Sequence, residues 1–227
     1  ANRNLIINGA QLIAQRGVSS TSSGYHTVDR FQHTGTGWDA SMTQSQSDVA
    51  SGTTPYTLGF RKAFKVTNGS QTRDPAASEL AIRYSVEAQD IANSGWNYTS
   101  SSSNITLSFW VKSSVAQNFY GYLQSIDGTS QLYPFETGSL SADTWTKVTK
   151  TISGNSNLQF DNNNGEGLRI EWRIFQGTNF TDSGVSLNTW AAYASGTRSP
   201  DQATTWFSTN NATFEITGVQ LEVGSVA

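Results

Sequence analysis

The sequence predicts an all-β chain, a two-sheet antiparallel β-sandwich of jelly-roll type. Three observations carry that expectation. Apolar residues recur at period two through most of the chain. Clusters of Asn, Asp, Gly and Ser punctuate them at short intervals. No segment carries an amphipathic helical stripe; 75–80 has room for one helical turn.

Taken in order, Leu58, Phe60, Phe64 and Val66 share one face, with Lys62 as the exception, and Leu80, Ile82, Tyr84 and Val86 share another. Ile105, Leu107, Phe109 and Val111 alternate with Thr106, Ser108, Trp110 and Lys112. Leu168, Ile170, Trp172 and Ile174 alternate with Arg169, Glu171 and Arg173. Such alternation places one face on a core and the other in solvent, so Glu171 is expected outside, in surface ion pairs with its arginine neighbours. Trp110, outward by the same rule, suits a sheet or subunit contact. Further strands are expected near 5–8, 27–33, 118–126, 144–152, 185–193 and 212–223. Turns are expected at Asn68-Gly69-Ser70, Asp127-Gly128-Thr129, Ser153-Gly154-Asn155 and 161–167. About ten strands at this spacing fit a jelly roll or a related sandwich.

In the last strand Phe214 and Ile216 share a face, whereas Val219, Leu221 and Val223 run one residue out of phase, with Gly218 at the slip. A β-bulge there returns all five to the core. No repeat or linker divides the chain, so residues 1–227 are read as one domain, with 1–40 as a candidate extended arm.

Composition narrows the function. The 227 residues are 36% hydrophobic and only 14% charged, yet 7 Trp, 8 Tyr and 11 Phe supply large apolar faces. With 14 scattered basic residues and a net charge of -3, no nucleic-acid surface is expected. No apolar run reaches the roughly 18 residues that span a bilayer, so no membrane insertion is expected. The absence of cysteine removes disulfides, zinc thiolates and thiol catalysis. No signal-peptide pattern is visible. A chain that starts at Ala1, with Met42 as its sole methionine, is read as processed or as one domain of a longer protein.

Catalytic motifs are missing. His26 and His33 lie seven apart, on opposite faces of a strand, and each is expected to be satisfied or exposed. No Gly-x-Ser-x-Gly elbow occurs. Glycoside hydrolysis needs only two carboxylates, and seven glutamates are available, but none lies in a motif. The loop holding Asp161, Asn163 and Glu166 offers oxygens for Ca²⁺ and equally suits a plain turn; no cofactor is expected. Trp96, Tyr98, Tyr133 and Trp206 fall in expected loops. There they either stack on sugar rings or cap the sandwich and fill a subunit interface.

Two stretches carry a resemblance. The opening Asn4-Leu5-Ile6-Ile7-Asn8-Gly9-Ala10, with Ala14-Gln15-Arg16-Gly17 and Asp29-Arg30-Phe31, resembles the start of β-sandwich domains in bacteriophage structural proteins of the tail-fibre type, many from marine phages. The end, from Phe214 through Gly224, is similar to their closing strand, and Leu107–Lys112 and 145–148 fall where those domains also have strands. The resemblance implies a carbohydrate-binding or galactose-binding-like jelly roll and a homotrimer, and it brings no consensus ligand residues. Arg16 and Glu222 are then expected to pair across neighbouring first and last strands. The function implied is a non-enzymatic virion protein, a tail-fibre domain that attaches the particle to a host-surface glycan or protein receptor. The alternatives are an architectural decoration or tail brace contacting other virion proteins, and a polysaccharide-degrading enzyme.

Overall fold

The alternating segments form strands because β-branched and aromatic residues suit a pleated surface buried on one face. A computed structural model describes residues 4–226. These residues form twelve strands: β1 (Ser19–Ser20), β2 (Phe31–Thr36), β3 (Thr43–Asp48), β4 (Lys62–Thr67), β5 (Glu79–Glu87), β6 (Asn104–Ser113), β7 (Asn118–Ser125), β8 (Gln131–Ser139), β9 (Thr146–Ser153), β10 (Glu166–Gln176), β11 (Ala191–Ala192) and β12 (Thr213–Val223). One six-stranded sheet runs β1-β3-β4-β12-β6-β9 and the other β11-β8-β7-β10-β5-β2. Every pairing between these strands is antiparallel. The architecture is all-β, a jelly-roll-type sandwich. Helix is confined to single turns at Thr54–Thr57, Pro75–Ala77, Ala88–Ala92 and Thr205–Ser208.

Between the sheets lies a core rich in aromatic rings. Phe31, Phe109 and Trp172 meet at centroid distances of 5.6–6.2 Å, and Phe119 and Phe214 at 4.9 Å. These rings pack with the leucines, isoleucines and valines of both sheets, and burial of this kind is the dominant favourable term in folding.

The bulge in β12 is present. Pairing with β6 steps from Thr217↔Trp110 to Gln220↔Ser108, one extra residue on β12. Gly218 takes the left-handed conformation at φ +59°. Phe214, Ile216, Val219 and Leu221 are buried, and Val223 packs partly buried against the core. The Phe60 ring covers the bulge, 2.7 Å from where a Cβ on residue 218 would stand. Gly218→Ala is therefore expected to cost about 1–3 kcal/mol through left-handed strain and overpacking. A lower urea midpoint at unchanged m-value checks this.

Several elements depart from expectation. Residues 5–8 are not a strand but run beside β12. The Leu5 amide donates to the Leu221 carbonyl at 2.9 Å, and the Leu221 amide to Asn4 Oδ1 at 3.0 Å. The chain ends are thus neighbours, but the expected Arg16–Glu222 pair does not form. Arg16 faces Asp29 at 3.7 Å, and no ion pair reaches Glu222 among the described residues. Asn4 and the backbone make the tie instead. Strand 27–33 begins at Phe31, and of 185–193 only Ala191–Ala192 pairs. Tyr133, expected in a loop, lies with Pro134 inside β8. Its outer neighbour β11 reaches only Gln131 and Leu132, so proline's missing N–H costs the ladder little there. Leu58 is exposed because 54–57 is a helical turn that ends the alternation.

Candidate functional site

Alternation turns one set of side chains from β10, β7, β5 and β8 out of the core, onto the outer face of the second sheet. Register places Glu171 opposite Tyr122 of β7 and Arg83 of β5. Contrary to the expectation of a solvated ion pair, Glu171 is fully buried and Arg173 nearly so. The reason is length: arginine stems and the Tyr122 ring lie across the sheet, and the segment 177–204 brings Arg198 over them.

The charges interlock. The Tyr122 hydroxyl donates to Glu171 Oε2 at 2.5 Å, and Arg83 Nε donates to Oε1 at 2.5 Å. Arg173 bonds both the Tyr122 hydroxyl and the Glu171 carboxylate. Its Nη1 also reaches Glu79 at 3.0 Å, where Arg198 arrives at 2.6 Å. Further along, Arg169 Nη2 holds Glu166 Oε2 at 2.5 Å, and the Ser85 hydroxyl donates to Glu166 Oε1. Burial alone would raise the Glu171 carboxyl, yet Arg173 and Arg83 outweigh it and hold it below the usual range. Glu166 behaves likewise: burial opposes, while Arg169 and Ser85 lower it. Burial pushes the Tyr122 phenol up, so it stays protonated and donating. A glycosidase acid needs a carboxyl raised toward neutrality; Glu171 and Glu166 are both shifted the other way.

Two recesses flank this floor. One, of about 320 Å³, lies beside β5 and is lined by Arg16, Tyr25, Arg30, Ser85, Glu87 and Asn164. Tyr25 is 39% exposed there. The other, of about 420 Å³, lies beside β8 beneath the segment 182–197, against Leu132, Pro134, Val185 and Ala191. The first combines an exposed aromatic face with charged and amide donors and acceptors, the mixture that recognises sugar rings and their hydroxyls.

The aromatics singled out in the sequence lie elsewhere; of the two alternatives, the packing of Trp96, Tyr133 and Trp206 favours capping over sugar stacking, and Tyr98 is partly buried. Trp96 is 3% exposed, its indole N–H donates to the Ser103 carbonyl, and it clusters with Tyr98 and Phe160. The edge of Tyr98 meets the Phe160 ring at 4.9 Å. Tyr133 is buried against Trp190 at 5.3 Å, and Trp206 is wholly buried with its indole donating to the Thr213 carbonyl. Their faces are spent on protein: Tyr133 lies inside β8, Trp206 in the helical turn Thr205–Ser208, and Trp96 and Tyr98 in the loop before β6. The oxygens expected for calcium are also engaged. Glu166 serves Arg169 and Ser85, Asn163 Oδ1 accepts from the Gly165 amide, and Asp161 Oδ1 meets Gln159. No group of three or more His, Asp or Glu comes together among the described residues.

His33 is neither satisfied nor exposed. It is 1% exposed against Trp38, and neither ring nitrogen has a hydrogen-bond partner. Of the first recess, Arg16 and Arg30 stood inside the opening motif but were read for structure. Tyr25 was passed over; its signal was a lone aromatic after the run 19–24 of Ser, Thr and Gly.

No protein-family model and no curated protein matches the sequence. Solved structures do match in fold. The enzymatically active domain of tailspike protein 4 of bacteriophage CBA120 aligns with a TM-score of 0.50 at 10% identity, over 97% of this chain. The chain spans 21% of that tailspike chain. A Bacteroides thetaiotaomicron VPI-5482 protein thought to bind sugar aligns with a TM-score of 0.49 at 12% identity, over 98% of this chain and 100% of that one. The N-terminal cellulose-binding domain of Cellulomonas fimi β-1,4-glucanase C gives 0.43 at 10% identity, over 95% and 100%. At these identities the likeness is one of fold. No helix among the described residues is long and apolar enough to cross a membrane.

Proposed function

We propose that this chain is a non-catalytic glycan-binding domain of a bacteriophage particle, one copy of a homotrimeric tail-fibre assembly that attaches to a host surface. The observation that carries the reading is the recess beside β5, where Tyr25 stands exposed among Arg16, Arg30, Glu87 and Asn164. The tail-fibre placement is supported by the opening and closing motifs, Asn4–Ala10 and Phe214–Gly224. The absence of a raised carboxyl at Glu171 and Glu166 supports binding without hydrolysis. Single sites of this size bind weakly, and a trimer that presents several at once attaches through avidity.

One observation favours the architectural alternative. Ile7, Leu12, Ile13 and Val18 are 49–63% exposed in one short stretch, and exposed apolar residues gathered in this way suit contact with another virion protein. The two readings separate in one experiment: binding of the purified domain, with its mass measured, to whole host cells and to a glycan array. Attachment predicts saturable binding that falls about fivefold or more in Tyr25→Ala, since a lost aromatic stack is worth about 1 kcal/mol or more per site. Tyr133→Phe is expected to bind as the parent does. A folded protein that binds neither cells nor glycans favours the architectural role.

A further inference from the structure

The arginines of the β5 recess are poorly matched by carboxylates, and this bears on which sugar the recess takes. Arg16 is 59% exposed in its side chain, and its nearest carboxylate oxygen, on Asp29, stands at 3.7 Å, beyond hydrogen-bond distance. No carboxylate forms an ion pair with Arg30 among the described residues; Arg30 lines the same recess, and its guanidinium hydrogen-bonds the Tyr84 hydroxyl. Of the two carboxylates that also line the recess, one is neutralised elsewhere and one offsets part of this charge. Glu166 is held by Arg169 through both oxygens and by Ser85, so its charge is spent within the floor. Glu87 keeps its charge, Oε2 accepting from the neutral Gln89 Nε2 at 2.9 Å, and leaves the recess with more positive than negative charge. The exposed Arg16 guanidinium, with unspent donors, and the charge of Arg30 therefore border the opening beside one aromatic ring.

We infer that the recess binds a sugar bearing an anionic group, a carboxylate or a sulfate, seated between Arg16 and Arg30 with its ring against Tyr25. This rests on the glycan-binding reading and narrows it to acidic polysaccharide. A planar guanidinium meets a carboxylate or sulfate with two parallel N–H···O bonds, which fixes orientation as well as adding affinity. A neutral sugar leaves those donors to water.

The test is calorimetric titration of the intact domain with four probes: a uronate tetrasaccharide from alginate, its carboxyl-reduced counterpart, a sulfated galactan tetrasaccharide, and its desulfated counterpart. The expected result is that at least one acidic probe binds about tenfold or more tighter than its neutral partner at low salt, a gap that narrows in high salt. Which acidic probe binds tells carboxylate from sulfate. Arg16→Gln is expected to remove most of the gap, and Arg16→Glu to reverse it, at unchanged melting temperature; Tyr25→Ala weakens acidic and neutral probes alike. Neutral and acidic probes binding equally, with Tyr25→Ala abolishing both, overturns the anionic specificity and leaves the glycan site standing. A gap that survives Arg16→Glu also overturns it. If no probe binds but host cells do, the anionic assignment falls and the receptor is of another class. If neither probes nor cells bind, both readings fall.

Discussion

Glu171→Gln is expected to lower the unfolding free energy by about 3 kcal/mol, the scale on which removing one partner of a buried ion pair destabilises a protein. The Glu171 carboxylate is fully buried and receives Arg83, Arg173 and the Tyr122 hydroxyl. A carboxamide can accept from one or two of them but neutralises none. Arg173 then keeps only Glu79 as a carboxylate partner, and Glu79 is shared with Arg198. Urea unfolding of parent and variant at neutral pH checks the figure, and a loss below 1 kcal/mol would show that the network is solvated. Exchanging both partners, Glu171→Leu with Arg173→Met, is expected to recover part of the loss, because an apolar pair needs no compensating charge. The same residue sets a pH limit. Its carboxyl is held low in the folded state, so its contribution is present above the unfolded-state value and is lost as pH falls through the folded one.

The second large effect is also a pH effect, with a different origin. Burial lowers the pKa of His33 from 6.5 to about 4, and neither ring nitrogen has a partner to accommodate a proton. The unfolded chain takes up that proton below about 6.5 and the folded one only near 4, so stability falls across this window as pH drops. At 1.36 kcal/mol per pKa unit the loss approaches about 3 kcal/mol. His33→Leu removes the titration. The stability difference between parent and variant is therefore expected to move by about that amount in the variant's favour between pH 7 and pH 4, as read from denaturant midpoints at each pH. A difference that stays constant over this range would mean that water reaches the imidazole.

Much of the sandwich was legible from its residues. Period-two runs in β5, β6 and β10 signalled strands because each has one face on the core, and Gly218 marked the bulge because only an extra residue reconciles Phe214 with Leu221. What failed has particular causes. Alternation says which way Glu171 points but not what lies over it, and the arginines that hold it come from β5 and from β10. Pro134 sits inside β8 although proline's local meaning is to end a ladder, and only pairing shows that it lies near an edge. Trp96, Tyr98, Tyr133 and Trp206 were candidates for sugar stacking as loop aromatics, but Tyr133 lies in a strand and Trp206 in a helical turn, and whether an aromatic faces water depends on packing that no local pattern shows. The recess itself joins residues 16–30, 85–87 and 164–166, a juxtaposition set by topology and written in no local pattern.

Amide hydrogen exchange of the domain, free and saturated with polysaccharide from its host surface, tests the glycan site most directly. Binding at the recess beside β5 predicts added protection within 16–30, 85–87 and 164–166, lost in Tyr25→Ala. Protection centred on 182–197 instead, or saturable binding with no change in those three segments, would contradict it.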